Sequence, residues 1–365
     1  MTKEADTFCI LPWVSAVYAP NKMNLICCRS FEEVTEYTLD AVNSKSHKHL
    51  RETLGKGIQD PICKRCWFDE KAGISSYRQD FNNVFKNIIT TDAYDPPKLR
   101  FLEYTPNNVC NLACRMCNSL YSTRIYAREK HLEQKIWGKD AHYTDWKDLD
   151  LTHLQELKLM GGEPMYLREH LEMLEYLDTI GVLKGLCLTL ITNCTHSISD
   201  EWKRVLDKIR KLHLVLSVDA AGPVNDYVRQ YSNWSEVDKN INEFIEYKKS
   251  KPAGKVHITF NCTVGLYNVN KTKELELYTK EKNIDCYFNP LKFPDYQSLF
   301  NISEEHKKIL LENKGVTEKL YHVLKEPENK VVPKQTFITM TDKTDTFYNK
   351  YLKDYNQEIY ELFYD

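Results

Sequence analysis

Between about Arg100 and Pro290 the chain repeats one pattern, a short β-branched or leucine-rich run followed by a polar, helix-forming stretch. Such alternation is the pattern of βα units, and it commits the segment to an α/β fold with a parallel sheet. Six strands are predicted, Leu99 to Tyr104, Glu156 to Met160, Leu186 to Thr192, Leu212 to Val218, Val256 to Val264 and Ile284 to Phe288. Helices are predicted over Tyr121 to Gln134, Leu167 to Leu177, Ser199 to Leu212 and Glu236 to Lys249, where apolar residues recur three and four apart. Right-handed crossovers curl six parallel strands into an open, TIM-like (β/α)6 partial barrel, with active residues at the C-terminal ends of the strands. A chain of 365 residues then divides into a barrel over 96–295 and flanking pieces over 1–95 and 296–365. The last piece is predicted to be a helical extension, because Phe347, Tyr351, Tyr355, Ile359 and Phe363 fall four apart on one amphipathic stripe. A charged stretch with two prolines, Lys325 to Lys334, forms the loop before it.

With 42% hydrophobic and 28% charged residues the chain has material for a core along most of its length. A net charge of −2 supplies no global basic field for nucleic acid or an anionic membrane. The N-terminus has no apolar segment of signal-peptide length, and no stretch approaches 18 apolar residues, so a cytoplasmic protein is expected. In that compartment the twelve cysteines are expected as metal ligands or thiols rather than disulfides.

Three of them, Cys110, Cys114 and Cys117, form a C-x3-C-x2-C run directly after the first predicted strand, at the active end of the barrel. Iron–sulfur clusters are held by cysteine thiolates, normally four, so a local set of three leaves one iron open. Zinc prefers four closed N/S ligands, and no histidine lies near enough in sequence to complete these three. Gly161-Gly162-Glu163-Pro164 follows the second predicted strand, where two glycines let the backbone approach a ligand closely.

This combination resembles the signature of the radical S-adenosylmethionine (radical SAM) superfamily, whose open iron chelates the amino and carboxylate groups of SAM. The resemblance implies two things about these motifs: Gly161 to Pro164 bind the SAM amino group, and Met116 fills the place near the adenine where the family usually has an aromatic residue. It implies further that Asn193, Ser217 and Asp219, at strand ends, contact the ribose and methionine parts. Arg229 is similar to an arginine that pairs with the SAM carboxylate in the peptide-modifying branch, a task that suits a bidentate guanidinium. Thr263-Val264 followed by Asn268 resembles the segment flanking the adenine. The implied chemistry is reductive cleavage of SAM to a 5′-deoxyadenosyl radical that removes hydrogen from a substrate, with electrons from a donor such as flavodoxin or ferredoxin.

A second set precedes the barrel: Cys9, then Cys27 and Cys28, then Cys63 and Cys66 as a C-x2-C pair. It resembles the twitch domain, the short relative of the SPASM domain, which binds an auxiliary [4Fe–4S] cluster. The resemblance implies Cys9, Cys27, Cys63 and Cys66 as ligands, with Cys28 the alternative to Cys27; Glu70, Gly73, Ser75 and Arg78 also fit its pattern. In better-known members the domain follows the barrel, and its usual glycine is replaced here by the turn Asn21-Lys22. By spacing alone a zinc site with four cysteine ligands stays open.

Of the remaining cysteines, Cys187, Cys194, Cys262 and Cys286, three lie in or beside predicted strands, where a thiol is usually a small buried apolar group. Cys286 or Cys262 is the candidate to donate a hydrogen atom to a substrate radical. The resemblance implies an enzyme that modifies a peptide or protein by crosslinking, oxidation or epimerisation. A dehydrogenase for a small molecule such as a sugar or aminocyclitol, and a redox-inactive metal-binding scaffold, are the alternatives.

Overall fold

The computed structural model describes residues 6–21, 23–30, 38–139, 141–327 and 331–365. Lys22 of the predicted turn and part of the 325–334 loop lie outside them. Among the described residues ten strands are present: β1 (Ser15–Ala19), β2 (Met23–Leu25), β3 (Phe101–Tyr104), β4 (Ala113–Cys114), β5 (Glu156–Leu159), β6 (Cys187–Thr192), β7 (Lys211–Ser217), β8 (Arg229–Gln230), β9 (Val256–Val264) and β10 (Asp285–Pro290). Eight form one open sheet in the order β10-β9-β7-β6-β5-β3-β1-β2, and β4 pairs with β8. Within the large sheet every pairing is parallel except β1 with β2.

The six predicted strands are β3, β5, β6, β7, β9 and β10. Successive side chains along a strand alternate between faces, and here the two faces differ in chemistry. On one, Leu157, Leu188, Leu214 and Phe260 are buried in the main core with Leu174 and Phe244 from the helices Arg168–Thr179 and Trp234–Lys249. Each such side chain contributes about 1.5–3 kcal/mol by burial. On the other face the register aligns Glu103, Lys158, Thr189, His213 and His257 in one row across β3, β5, β6, β7 and β9. Lys158 Nζ lies 2.7 Å from Glu103 Oε2, and His213 Nε2 lies 2.8 Å from Thr259 Oγ1.

Two predicted helices are shorter than expected. The first reduces to Tyr126–His131 after a 3-10 turn, Thr123–Ile125. The third runs Asp200–Leu206, capped at its start by the Ser199 hydroxyl accepting from Trp202 N, and stops because β7 begins at Lys211. The helix Thr272–Glu281 had no prediction.

Strands β1 and β2 were also unpredicted. All five residues of β1 are buried, so it lacks the alternation that marks a half-exposed strand. The first segment thereby extends the barrel sheet, although Phe8, Leu11, Trp13, Leu50, Phe85 and Tyr94 gather a second core around Phe101 of β3.

The C-terminal stripe is not one helix. The helix Lys334–Tyr348 ends at Asn349, whose φ of 52° is left-handed, a conformation Asn tolerates and most residues do not. Two short helices follow, Leu352–Tyr355 and Gln357–Tyr364. Ile359 and Phe363 are buried as the stripe requires, whereas Tyr351 is exposed. Among the described residues no helix is long and apolar enough to cross a membrane.

Candidate active site

Cys110, Cys114 and Cys117 lie on the loop after β3, and the short β4–β8 ladder sets Cys114 opposite Arg229. The loop is tied down through its own backbone. Arg128 donates to Cys114 O at 3.0 Å and Cys117 O at 2.7 Å, Gln297 Nε2 donates to Arg115 O at 3.2 Å, and Arg115 N donates to Val228 O at 2.8 Å. All three thiols line a cavity of about 300 Å³. Burial pushes them up from the ordinary cysteine range, Cys110 to about 11.

The two-glycine turn after β5 packs on the residues just before Cys110. Gly161 has a φ of 125°, and a Cβ on Gly162 would meet Val109 O at 1.9 Å. Only glycine fits there, so the turn and the cysteine loop are fixed to each other. Gly162→Ala must displace that backbone, at a cost of about 1–3 kcal/mol. A lower denaturant midpoint is expected, and an unchanged midpoint would show the contact is not tight.

Glu163 is buried in the cavity wall, and its carboxylate accepts from Thr192 Oγ1 at 2.8 Å, Met165 N at 3.1 Å and Asn193 N at 2.7 Å. Three donors on two oxygens leave room for one more. Burial outweighs these bonds and raises its carboxyl to about 7. Asn193 Nδ2 donates to Asn111 Oδ1 at 2.9 Å, joining the end of β6 to the cysteine loop.

Met116, Pro164, Ser217 and Arg229 line the same cavity. Arg229 differs from expectation in already having a carboxylate partner, since its Nε lies 2.8 Å from Asp219 Oδ2. Asp219 therefore lies behind Arg229 rather than on the cavity surface, and its Oδ1 accepts from Thr263 N at 2.9 Å. Val264 is wholly buried in the main core, and Thr263, one register step away, lines the cavity instead. Cys262 and Cys286 likewise belong to the core beneath the helices and are not brought to the cavity. Cys187 is half-buried on the opposite, polar face.

Cys9, Cys27, Cys63 and Cys66 line one smaller void with Leu11, Ile26, Leu50 and Leu54. Cys28 does not line it; its thiol meets Tyr77 and Glu103. Arg78 braces the set by donating to both Glu70 oxygens, at 2.9 and 2.6 Å, and to Phe8 O at 2.7 Å. Gly73, with φ 75°, follows the helix Lys64–Lys71, and Ser75 donates to Asp80 at 2.6 Å. Burial raises Cys9 to about 12 and pushes Cys27 well above the ordinary cysteine range. Because Cys9 precedes β1 and β1 runs parallel to β3, the two cysteine sets lie at opposite ends of the strands.

The donor chemistry of both sets fits iron–sulfur clusters. Buried thiols that stay protonated alone lose their protons when a cation arrives, which couples metal binding to proton release. Among the described residues no three His, Cys, Asp or Glu side chains converge on a single-ion site. The sequence reading missed Asn111, Arg115, Arg128 and Gln297, whose roles depend on contacts distant in sequence.

No protein-family model matches the chain, and no curated protein matches it. Among solved structures it is similar to native anSMEcpe with bound AdoMet, at 19% identity and a TM-score of 0.41, over 70% of this chain and 63% of that one. It is also similar to Streptococcus suis SuiB bound to precursor peptide SuiA, at 13% identity and a TM-score of 0.35, over 69% and 58%. A third is the radical S-adenosylmethionine methyltransferase TsrM from Kitasatospora setae with tryptophan and a SAM analog bound, at 11% identity and 0.35, over 52% and 36%. The chain thus spans less than two thirds of the length of these proteins.

Proposed function

We propose that the chain is a radical SAM enzyme that abstracts hydrogen from a peptide or protein substrate. The observation that carries this reading is the convergence of Cys110, Cys114 and Cys117 with Gly161 to Pro164, Asn193, Ser217 and Arg229 on one 300 Å³ cavity. A [4Fe–4S] cluster on the three thiolates would supply the one-electron cleavage of SAM to a 5′-deoxyadenosyl radical. The chain's own residues then bind and orient. The free acceptor site on Glu163 suits the SAM ammonium, and Arg229 suits its carboxylate while Asp219 holds the guanidinium in place. Met116 and Thr263 offer the wall for the adenine.

A second cluster on Cys9, Cys27, Cys63 and Cys66 is part of the proposal, as is a flavodoxin- or ferredoxin-type electron donor in the cytoplasm. The polar row of Glu103, Lys158, Thr189, His213 and His257 runs between the two cysteine sets. Its partly exposed members Thr189, His213 and His257 offer polar groups to the amides of a peptide, which supports the peptide reading over the small-molecule dehydrogenase. The test is anaerobic protein with SAM and dithionite, offered deuterated candidate peptides, sugars and aminocyclitols. Label is expected in 5′-deoxyadenosine from a peptide; label only from a small molecule supports the alternative, and absence of 5′-deoxyadenosine sinks both.

A further inference from the structure

Arg115 stands inside the cysteine loop, between Cys114 and Met116, and its guanidinium points away from the 300 Å³ cavity into the C-terminal extension. Its side chain is 1% exposed, and Nη2 lies 2.7 Å from Asp345 Oδ1 on the helix Lys334–Tyr348. Nε donates to Tyr227 O at 2.8 Å and Nη2 to Lys350 O at 3.3 Å. The guanidinium carbon lies 3.7 Å from the centre of the Tyr227 ring. Asp345 in turn accepts from the Tyr227 hydroxyl at 2.9 Å and from Leu352 N at 2.7 Å. Among the described residues Arg115 Nη1 has no hydrogen-bond partner.

A buried charge pair rarely stabilises more than an apolar pair of the same volume, yet removing one partner is costly. The pair is therefore a poor explanation of stability and a good one of register, because a guanidinium with fixed partners on three sides holds one backbone position. Those partners come from the helix before Arg229, from Asp345 and from the left-handed turn after Tyr348. We infer that Asp345 is a positioning residue for the cysteine loop, acting through Arg115, so that the C-terminal helix sets the geometry of Cys114 and Cys117. The inference rests on the proposed cluster for its consequence in SAM binding, but the loop's order can be read without any cluster.

The full chain is compared with Asp345→Asn and with the double variant Arg115→Met, Asp345→Leu. In cluster-free protein, amide hydrogen exchange of residues 113–118 is expected to quicken about tenfold in Asp345→Asn. In reconstituted protein, iron content stays as in the parent while the electron paramagnetic resonance g-values shift and SAM binding weakens about tenfold. The double variant removes both charges but leaves the Tyr227 hydroxyl and Leu352 N without their acceptor, and it keeps the fast exchange and the altered spectrum. The inference is overturned if Asp345→Asn leaves exchange and spectrum unchanged. It is equally overturned if the double variant restores both along with stability, which would make the pair mere filling. Should Asp345→Asn fail to fold, the double variant carries the test. A parent protein that binds no iron would sink the proposed function, while the exchange measurement would still decide this inference.

Discussion

Replacing Cys114 by alanine is expected to leave a folded chain in which 5′-deoxyadenosine formation falls below detection. The backbone of residue 114 is held independently of its side chain, by the β4–β8 ladder and by Arg128 at Cys114 O. Alanine is smaller than cysteine and places no unpaired polar atom in the wall, so the thermal midpoint should move little. The loss falls on the ligand count. With Cys110 and Cys117 alone, two thiolates remain for the proposed cluster, which takes three from the loop. Iron is expected to drop from about eight to about four per chain, the remainder belonging to the set before the barrel. Iron analysis and product chromatography check both numbers. Cleavage at the parent's rate would mean that Cys114 is not a ligand and that the cavity serves another purpose.

Much of this site was legible because its parts are local. The cysteine run and the two-glycine turn each sit within eight residues, and each follows a strand whose pattern is plain. Only the structure supplies the reason the second glycine is required, the approach of Val109 O. Side-chain direction was legible in principle and was overlooked. Cys262 shares parity with Ile258 and Phe260, which face the helices, whereas Thr259, Asn261 and Thr263 face the other way. Period two along β9 already argued against Cys262 as a hydrogen donor.

Other parts had no local signal. Arg115 meets Asp345 across 230 positions, and nothing near either residue marks the pair. Strand β1 hid because both its faces are covered, and the C-terminal stripe misled because Asn349 breaks it without a glycine or proline to announce the turn. The choice between Cys27 and Cys28 was likewise a matter of direction. Adjacent side chains diverge, and only Cys27 joins the void lined by Cys9, Cys63 and Cys66.

The same void gives the second large effect, which separates the two cysteine sets by function. Cys63→Ala is expected to leave SAM cleavage measurable while product formation from the substrate collapses. Cys9 and Cys63 lie at the opposite end of the strands from the cysteine loop, and the bonds that hold Cys114, Arg115 and Cys117 come from Arg128, Val228 and Gln297. The residues proposed to bind SAM should therefore keep their geometry, so uncoupled 5′-deoxyadenosine is expected to form still. What is lost is the proposed acceptor of the electron left on the substrate radical. Iron should again fall from about eight to about four per chain, but now with the SAM-dependent electron paramagnetic resonance signal retained. The ratio of product to 5′-deoxyadenosine is the quantity to measure. Full product formation with unchanged iron would remove the second cluster from the mechanism, whereas loss of both product and cleavage would mean that the two ends of the barrel are structurally one site.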